Sequence, residues 1–158
     1  MNRPATIRIA TALIDDPDGR LLLVRKAGTP WFMQAGGKIE GDESPTSALV
    51  RELREEIGLE IAPDALHPLG RFSAPAANEA DCVVEAEIFH LRTTHQPVAS
   101  AEIAEALWLD PQEAAERPLA PLTRDHVLPL AEMVRREWRT RQDSNLWPLP
   151  SEGSALSS

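Results

Sequence analysis

The sequence predicts an α/β fold, on two observations. Segments with strand character recur along the chain at 6–14, 20–25, 31–35, 66–75, 83–94 and 106–109, bounded by turn residues. Two further stretches, 45–57 and 123–138, repeat their apolar residues at helical spacing. A chain of 158 residues is long enough for a single core, although it holds few aromatics and no tyrosine. The expected organisation is one domain over 1–138 and a disordered tail over 139–158.

Taken in order, Thr6 to Ile14 and Arg20 to Arg25 flank the turn sequence Asp15-Asp16-Pro17-Asp18-Gly19 and read as a hairpin. After a loop from Lys26 to Pro30, Trp31 to Ala35 forms a short strand that runs into Gly36-Gly37. Ser44 and Pro45 start the first helix, because a serine hydroxyl caps free N–H groups and proline's fixed φ suits the first helical position. Gly58 stops it. Leu49, Leu53 and Ile57 form its apolar stripe. Pro63 breaks any extended segment begun at Glu60 and Ile61. Leu66 to Pro75 and Val83 to Thr94 pair across the polar loop 76–81. Along the second of these, Val84, Ala86 and Ile88 share one face, while Glu85 and Glu87 lie on the other with Val83 and Phe89, an arrangement suited to cross-strand surface pairing. Ala106 to Leu109 is a further strand, and Thr123 to Trp138 a helix that should cover the other side of the sheet.

The stretch from Gly37 to Leu59 carries the chemistry. Glu52, Glu55 and Glu56 crowd one side of the first helix near its C-terminal end. Like charges at that spacing cost a few tenths of a kcal/mol per pair, and the helix dipole disfavours anions there. A hard divalent cation, Mg2+ or Mn2+, reverses both objections, since it takes oxygen ligands and becomes the dominant local charge. A solvated acidic face is the alternative for the helix alone. The glycines before it tilt the balance, because Gly36, Gly37 and Gly41 allow a close backbone approach to phosphate. Glu43 and Arg51 are placed to fix this loop against the helix.

Gly37, Glu43 and Arg51-Glu52-Leu53-Arg54-Glu55-Glu56-Ile57-Gly58-Leu59 fill every defined position of G-x5-E-x7-R-E-U-x-E-E-x-G-U, with U aliphatic. The chain thus resembles the Nudix family over roughly residues 5 to 138. The resemblance implies a mixed β-sheet sandwiched between α-helices. It also implies metal-dependent hydrolysis of a nucleoside diphosphate linked to another moiety X. Glu52, Glu55 and Glu56 would then be metal ligands and catalytic residues, Arg51 and Glu43 would orient the loop, and Gly37 would meet metal or phosphate through its backbone. Glu55 is open to either of two roles, a further metal ligand or acceptor of the water proton. Glu102, in a segment before Trp108 that looks like the family's additional carboxylate, is a fourth metal ligand, with Glu105 its competitor.

The substrate expected on this basis is a nucleoside triphosphate or oxidised nucleotide, released as a nucleoside monophosphate. An ADP-ribose or nucleotide-sugar pyrophosphatase is the alternative, marked by Pro75. A module that senses nucleotides without turnover would have no need of an intact glutamate set, and an isoprenoid diphosphate isomerase would need a cysteine context that Cys82 lacks. Arg25, with Lys26 beside it, could reach substrate phosphate, and Phe32, Phe72 and Trp108 are candidates to stack on a base, each against the commoner alternative of a structural role.

Other classes are excluded or unsupported. The net charge of −9 argues against nucleic-acid binding. The single cysteine rules out an internal disulfide, and the four histidines show no metal-ligand spacing. No run reaches the length of a membrane span and no leader precedes the domain, so a cytoplasmic protein is expected, with a homodimer possible from the family. In the tail, Asp143 to Leu146 can be encoded by GAT TCG AAC CTN, whose complement resembles the T-arm of a tRNA gene. The reading frame is therefore expected to run into a tRNA gene on the opposite strand, which the coding DNA tests.

Overall fold

The computed structural model describes residues 4–146. The chain divides into two compact units, Met1–Leu128 and Pro129–Ser158.

The first unit is built on one mixed sheet. Its strands are β1 (Ala5–Asp15), β2 (Leu21–Lys26), β3 (Phe32–Met33), β4 (Gly36–Lys38), β5 (His67–Pro75), β6 (Cys82–Arg92) and β7 (Ile103–Leu109). The order β3-β2-β1-β6-β5 forms the main path, with β4 also on β1 and β7 on β2. β1 and β6 run parallel along their whole length, Ala5 opposite Cys82 through Asp15 opposite Arg92, and every other pairing is antiparallel. Buried Asp15 pins this parallel register, accepting from Arg92 Nε and Nη2 at 3.1 and 2.7 Å, with His90 Nε2 at 2.8 Å.

Helix α1 (Pro45–Ile57) has the ends expected of it. Ser47 N–H donates to Ser44 Oγ at 3.1 Å, and Gly58 closes the helix at φ 69°. Its stripe of Leu49, Leu53 and Ile57 is fully buried with Ala10, Ala12 and Ile14 of β1 and Phe89 and Leu91 of β6. Each such leucine contributes roughly 2 kcal/mol by leaving water, so the stripe fixes which helical face remains for the glutamates. Along β1 Ala10, Ala12 and Ile14 join this core, while Ile7, Ile9 and Thr11 line a cavity. The two-residue strand period makes that division.

Several elements differ from the sequence expectation. Gly36–Lys38 is itself a strand, paired with Ile9 to Thr11 of β1, rather than the end of the strand before it. β7 begins at Ile103, earlier than Ala106, and a short helix α2 (Pro111–Ala115) follows it. Residues 123–127 form one π-helical turn instead of the first turn of an α-helix.

The helix α3 (Leu128–Leu146) begins at the last residue of the first unit and makes up the described part of the second. Within it Glu132 pairs with Arg135 and Arg136 at 3.4 and 3.7 Å. The expected tail boundary at Arg139 falls inside this helix, because the run 139–146 lacks the proline that would end it; the remainder of the tail lies outside the described residues.

A strap across the end of a glutamate helix: the candidate active site

β4 carries Gly36 and Gly37 alongside the glutamate face of α1. The Gly36 N–H donates to Glu56 Oε1 at 3.2 Å. A Cβ at Gly37 would stand 2.4 Å from the Glu52 carboxyl carbon, so any side chain there would displace that carboxylate. The missing methyl is what lets a carboxylate lie against the strand.

Arg51 organises the N-terminal side. Its Nε and Nη2 donate to the two oxygens of Glu43 at 2.9 and 2.8 Å, and its Nη1 to Glu52 Oε2 at 2.8 Å. Glu43 in turn accepts from the Glu40 N–H at 3.0 Å. The guanidinium beside it, with that backbone bond, holds the Glu43 carboxyl down at about 2. The paired carboxylates raise Arg51 further above its already high value. The clamp expected between Glu43 and Arg51 is present as a two-pronged pair.

Conditions reverse at the other end of the helix. Glu56 is buried, and burial outweighs the bond from Gly36 and pushes its carboxyl up to about 7. Glu52 is also raised by burial, which outweighs the opposing pull of Arg51. Lys26 draws both down electrostatically, and Glu102 pushes Glu56 up, so all four groups share one field. Glu55 is half-exposed, 3.7 Å from Arg51 Nη1.

The segment 95–102 crosses the C-terminal end of α1 as a strap. Ser100 Oγ donates to Glu55 O at 2.7 Å, Ser100 N–H to Glu56 O at 3.1 Å and Val98 N–H to Ile57 O at 3.1 Å, while His95 Nε2 lies 2.9 Å from Ile57 O. Carbonyls that a helix end leaves without partners are thereby satisfied, and the strap delivers Glu102 toward Glu56. Its competitor Glu105 is committed elsewhere, accepting from Arg25 Nε at 2.7 Å.

Two sequence expectations change here. Arg25 is held by Glu105 and by the Thr29 carbonyl at 2.9 Å, and the cation lining the cavity from β2 is Lys26. The strand period decides this, since Lys26 shares a face with Val24 and Arg25 does not. Phe32 is core, buried under the Arg117 guanidinium 5.2 Å from its ring centre, and Met33 lines the cavity in its place. The other aromatic candidates also have structural partners, Phe72 with the His126 ring and Trp108 donating to His95 O at 3.1 Å.

The cavity is lined by Gly36, Gly37, Lys26, Lys38 and Glu56, by the apolar side chains of Ile7, Ile9, Met33, Val84 and Leu122, and by residues of the β5–β6 loop. Among the described residues no three carboxylate, imidazole or thiol groups already converge on one point. Glu52 is turned to Arg51, and Glu56 to the Gly36 N–H. Sequence reasoning missed Gln34, Thr11 and Thr123, which line the same cavity; no local pattern marks them.

The site thus sets buried Glu56 and partly buried Glu52, from one capped helix, beside a glycine strand and a cavity that carries two lysines. The NUDIX domain model matches residues 5–131, and the chain belongs to the Nudix family. It is 37% identical over 126 residues to the CTP pyrophosphohydrolase of Escherichia coli K12, covering 73% of this chain and 84% of that protein. The solution structure of the E. coli ORF135 protein superposes with a TM-score of 0.64 at 30% identity, covering 86% of this chain and 94% of that one. The E. coli dihydroneopterin triphosphate pyrophosphohydrolase shares the fold, with a TM-score of 0.65 at 16% identity over 84% of this chain and 99% of that one. Among the described residues no helix is long and apolar enough to cross a membrane.

Proposed function

We propose that this chain hydrolyses a nucleoside triphosphate, or an oxidised form of one, to a nucleoside monophosphate, using Mg2+ or Mn2+ held by Glu52, Glu56, Glu55 and Glu102. One observation carries the reading. Glu56, withdrawn from water, lines a cavity together with Lys26, Lys38, Gly36 and Gly37, and Glu52, its carboxyl also raised by burial, lies against Gly37. Burying carboxylates without full counter-charge costs stability, and an all-oxygen donor set of this kind fits a hard divalent cation. Such a cation, when bound, neutralises diphosphate charge and lowers the pKa of its water.

The chain's own residues do the rest. Lys26 and Lys38 attract the polyphosphate, and β4 offers its backbone to phosphate oxygens. Arg51 holds Glu52 in place through the Glu43 clamp. Glu55, the most exposed of the three helix glutamates, is the third carboxylate of the site, either as a further ligand or as acceptor of the proton of the attacking water. The similarity to a CTP pyrophosphohydrolase supports a nucleoside triphosphate over ADP-ribose or a nucleotide sugar.

The test is a chromatographic screen of purified protein with Mg2+ or Mn2+ against the nucleoside triphosphates, oxidised dGTP, ADP-ribose and nucleotide sugars, with Glu56→Gln in parallel. Metal-dependent release of a monophosphate by the wild type and its loss in the variant are expected. Nucleotide binding with no turnover of any substrate would overturn the enzymatic reading in favour of a sensor.

A further inference from the structure

Three polar side chains form a buried chain in the cavity wall. Thr11, Gln34 and Thr123 are 2, 6 and 0% exposed, and all three line the cavity. Thr11 Oγ1 donates to the Ala35 carbonyl at 2.9 Å, Gln34 Nε2 donates to Thr11 Oγ1 at 3.2 Å, and Thr123 Oγ1 donates to Gln34 Oε1. The direction of this chain is dictated from one end. A carbonyl oxygen only accepts, so the Thr11 hydroxyl spends its one proton on Ala35 and must receive from Gln34. The carboxamide nitrogen therefore faces Thr11 and its oxygen faces Thr123. A flip would set the amide N–H against the Thr123 hydroxyl proton unless that hydroxyl turned away, and would leave the Thr11 oxygen facing another oxygen, a pair of unmatched buried acceptors.

The locked amide has capacity to spare. A carboxamide offers two N–H donors and two acceptor lone pairs, and the chain uses one of each. One donor and one acceptor remain on a planar group in the wall of a cavity whose neighbouring surface, from Ile9, Met33, Val84 and Leu122, is aliphatic. Buried capacity of this kind matches a flat ring that carries a donor and an acceptor side by side on one edge. Such a ring gains by burying its faces against the aliphatic side chains and by pairing its edge with the amide. Lys26 and Lys38, which line the same cavity, suit the charged part of the same molecule.

We propose that Gln34 is the specificity-determining residue of the cavity, reading the donor–acceptor edge of a nucleobase, and that Thr11 and Thr123 are positioning residues that keep its amide in one orientation. The inference rests on the reading of the cavity as a nucleotide site. It does not depend on metal or turnover. A site built to pair with a polar edge rejects rings that lack it, because its own buried groups are then left unpaired.

The experiment is equilibrium binding by titration calorimetry in EDTA, where no hydrolysis occurs, with the four common ribonucleoside triphosphates and inorganic triphosphate as ligands. Wild type should separate the preferred base from the poorest by tenfold or more. Gln34→Met should compress that spread to under threefold and leave the affinity for inorganic triphosphate within twofold. Thr123→Val should lose part of the spread and Thr123→Ser should recover it, which a purely structural threonine would not require. An unchanged spread in Gln34→Met, a wild type that does not distinguish bases, or an equal loss for inorganic triphosphate would each overturn the proposal.

Should Gln34→Met fail to fold by circular dichroism, the ligand side decides. Removing the exocyclic group from the preferred base should cost the wild type about tenfold in affinity, and no loss would refute the assignment. Hydrolysis is measured separately with Mn2+. Base discrimination in EDTA without turnover would sink the enzymatic reading alone, and turnover without discrimination would sink this inference alone.

Discussion

The two ends of the motif from Gly37 to Leu59 treat their carboxylates in opposite ways. Glu43, beside the start of α1, is matched by both prongs of Arg51 and by a backbone N–H, and its carboxyl is held down at about 2. Glu56, the penultimate residue of α1, is buried with one backbone N–H for company, and its carboxyl is pushed up to about 7. Where the protein supplies its own counter-charge the carboxylate holds a loop in place. Where it withholds counter-charge, the carboxylate is the one we propose for a cation from solution. The same residue type thus serves structure at one end and, in the proposed function, chemistry at the other.

The sharpest break of this contrast is Glu56→Gln. If the buried end exists for chemistry, kcat/KM should fall by roughly 10^3-fold, the scale of losing one transition-state-stabilising group. The metal-free variant should also melt higher than wild type at pH 8, because a buried charge has gone. A variant that is both active and less stable would erase the distinction between the two ends.

Gly37→Ala comes next. The added methyl meets the far end of the flexible Glu52 side chain, which can swing away. Stability should therefore change little, with a melting shift of a few degrees at most, while activity falls on the order of 100-fold, as expected when a catalytic group is displaced by about 1 Å. Crystallography of the variant with Mn2+ would locate Glu52. Activity near wild type would mean that Glu52 has no fixed task.

At the matched end, Arg51→Lys keeps the charge and loses the two-pronged geometry. About a tenfold drop in kcat is expected, mostly through a mobile Glu43 loop, and hydrogen exchange at 40–43 should speed up. An unchanged exchange rate would place the role of Arg51 at Glu52 instead.

The last break concerns stability rather than rate, in the pH dependence of the metal-free protein. Folded Glu56 keeps its proton to about 7, whereas the unfolded carboxyl loses it near the ordinary 4.5. The associated stability is complete below pH 4.5 and is lost as pH rises through about 7, on the order of 3 kcal/mol in all. Glu43 runs the other way, its contribution present above pH 4.5 and lost as pH falls through about 2. Melting curves in EDTA from pH 4.5 to 8 should show wild type declining relative to Glu56→Gln, and saturating Mn2+ should remove the decline. Parallel curves would show that Glu56 is not the buried acid.

The sequence by itself determined what is local. The cap at Ser44, the stop at Gly58, the apolar stripe of Leu49, Leu53 and Ile57, the glutamate face and the Glu43–Arg51 clamp all lie within one helix and its entry loop. Spacing along 23 residues is enough to place them, because a helix converts sequence separation directly into geometry. The strand period could also have assigned Lys26 rather than Arg25 to the cavity, since Val24 and Lys26 alternate together. Only the tertiary structure decided which side chains from distant segments share a point. Gly36–Lys38 becomes a strand because β1 lies beside it, the strap from 95 to 102 finds the free carbonyls of α1 from the other side of the chain, and Thr11, Gln34 and Thr123 meet from three segments. Hydrogen bonds between residues 23 and 89 positions apart leave no periodic trace in the sequence. They exist because folding removes water from groups that must then satisfy one another.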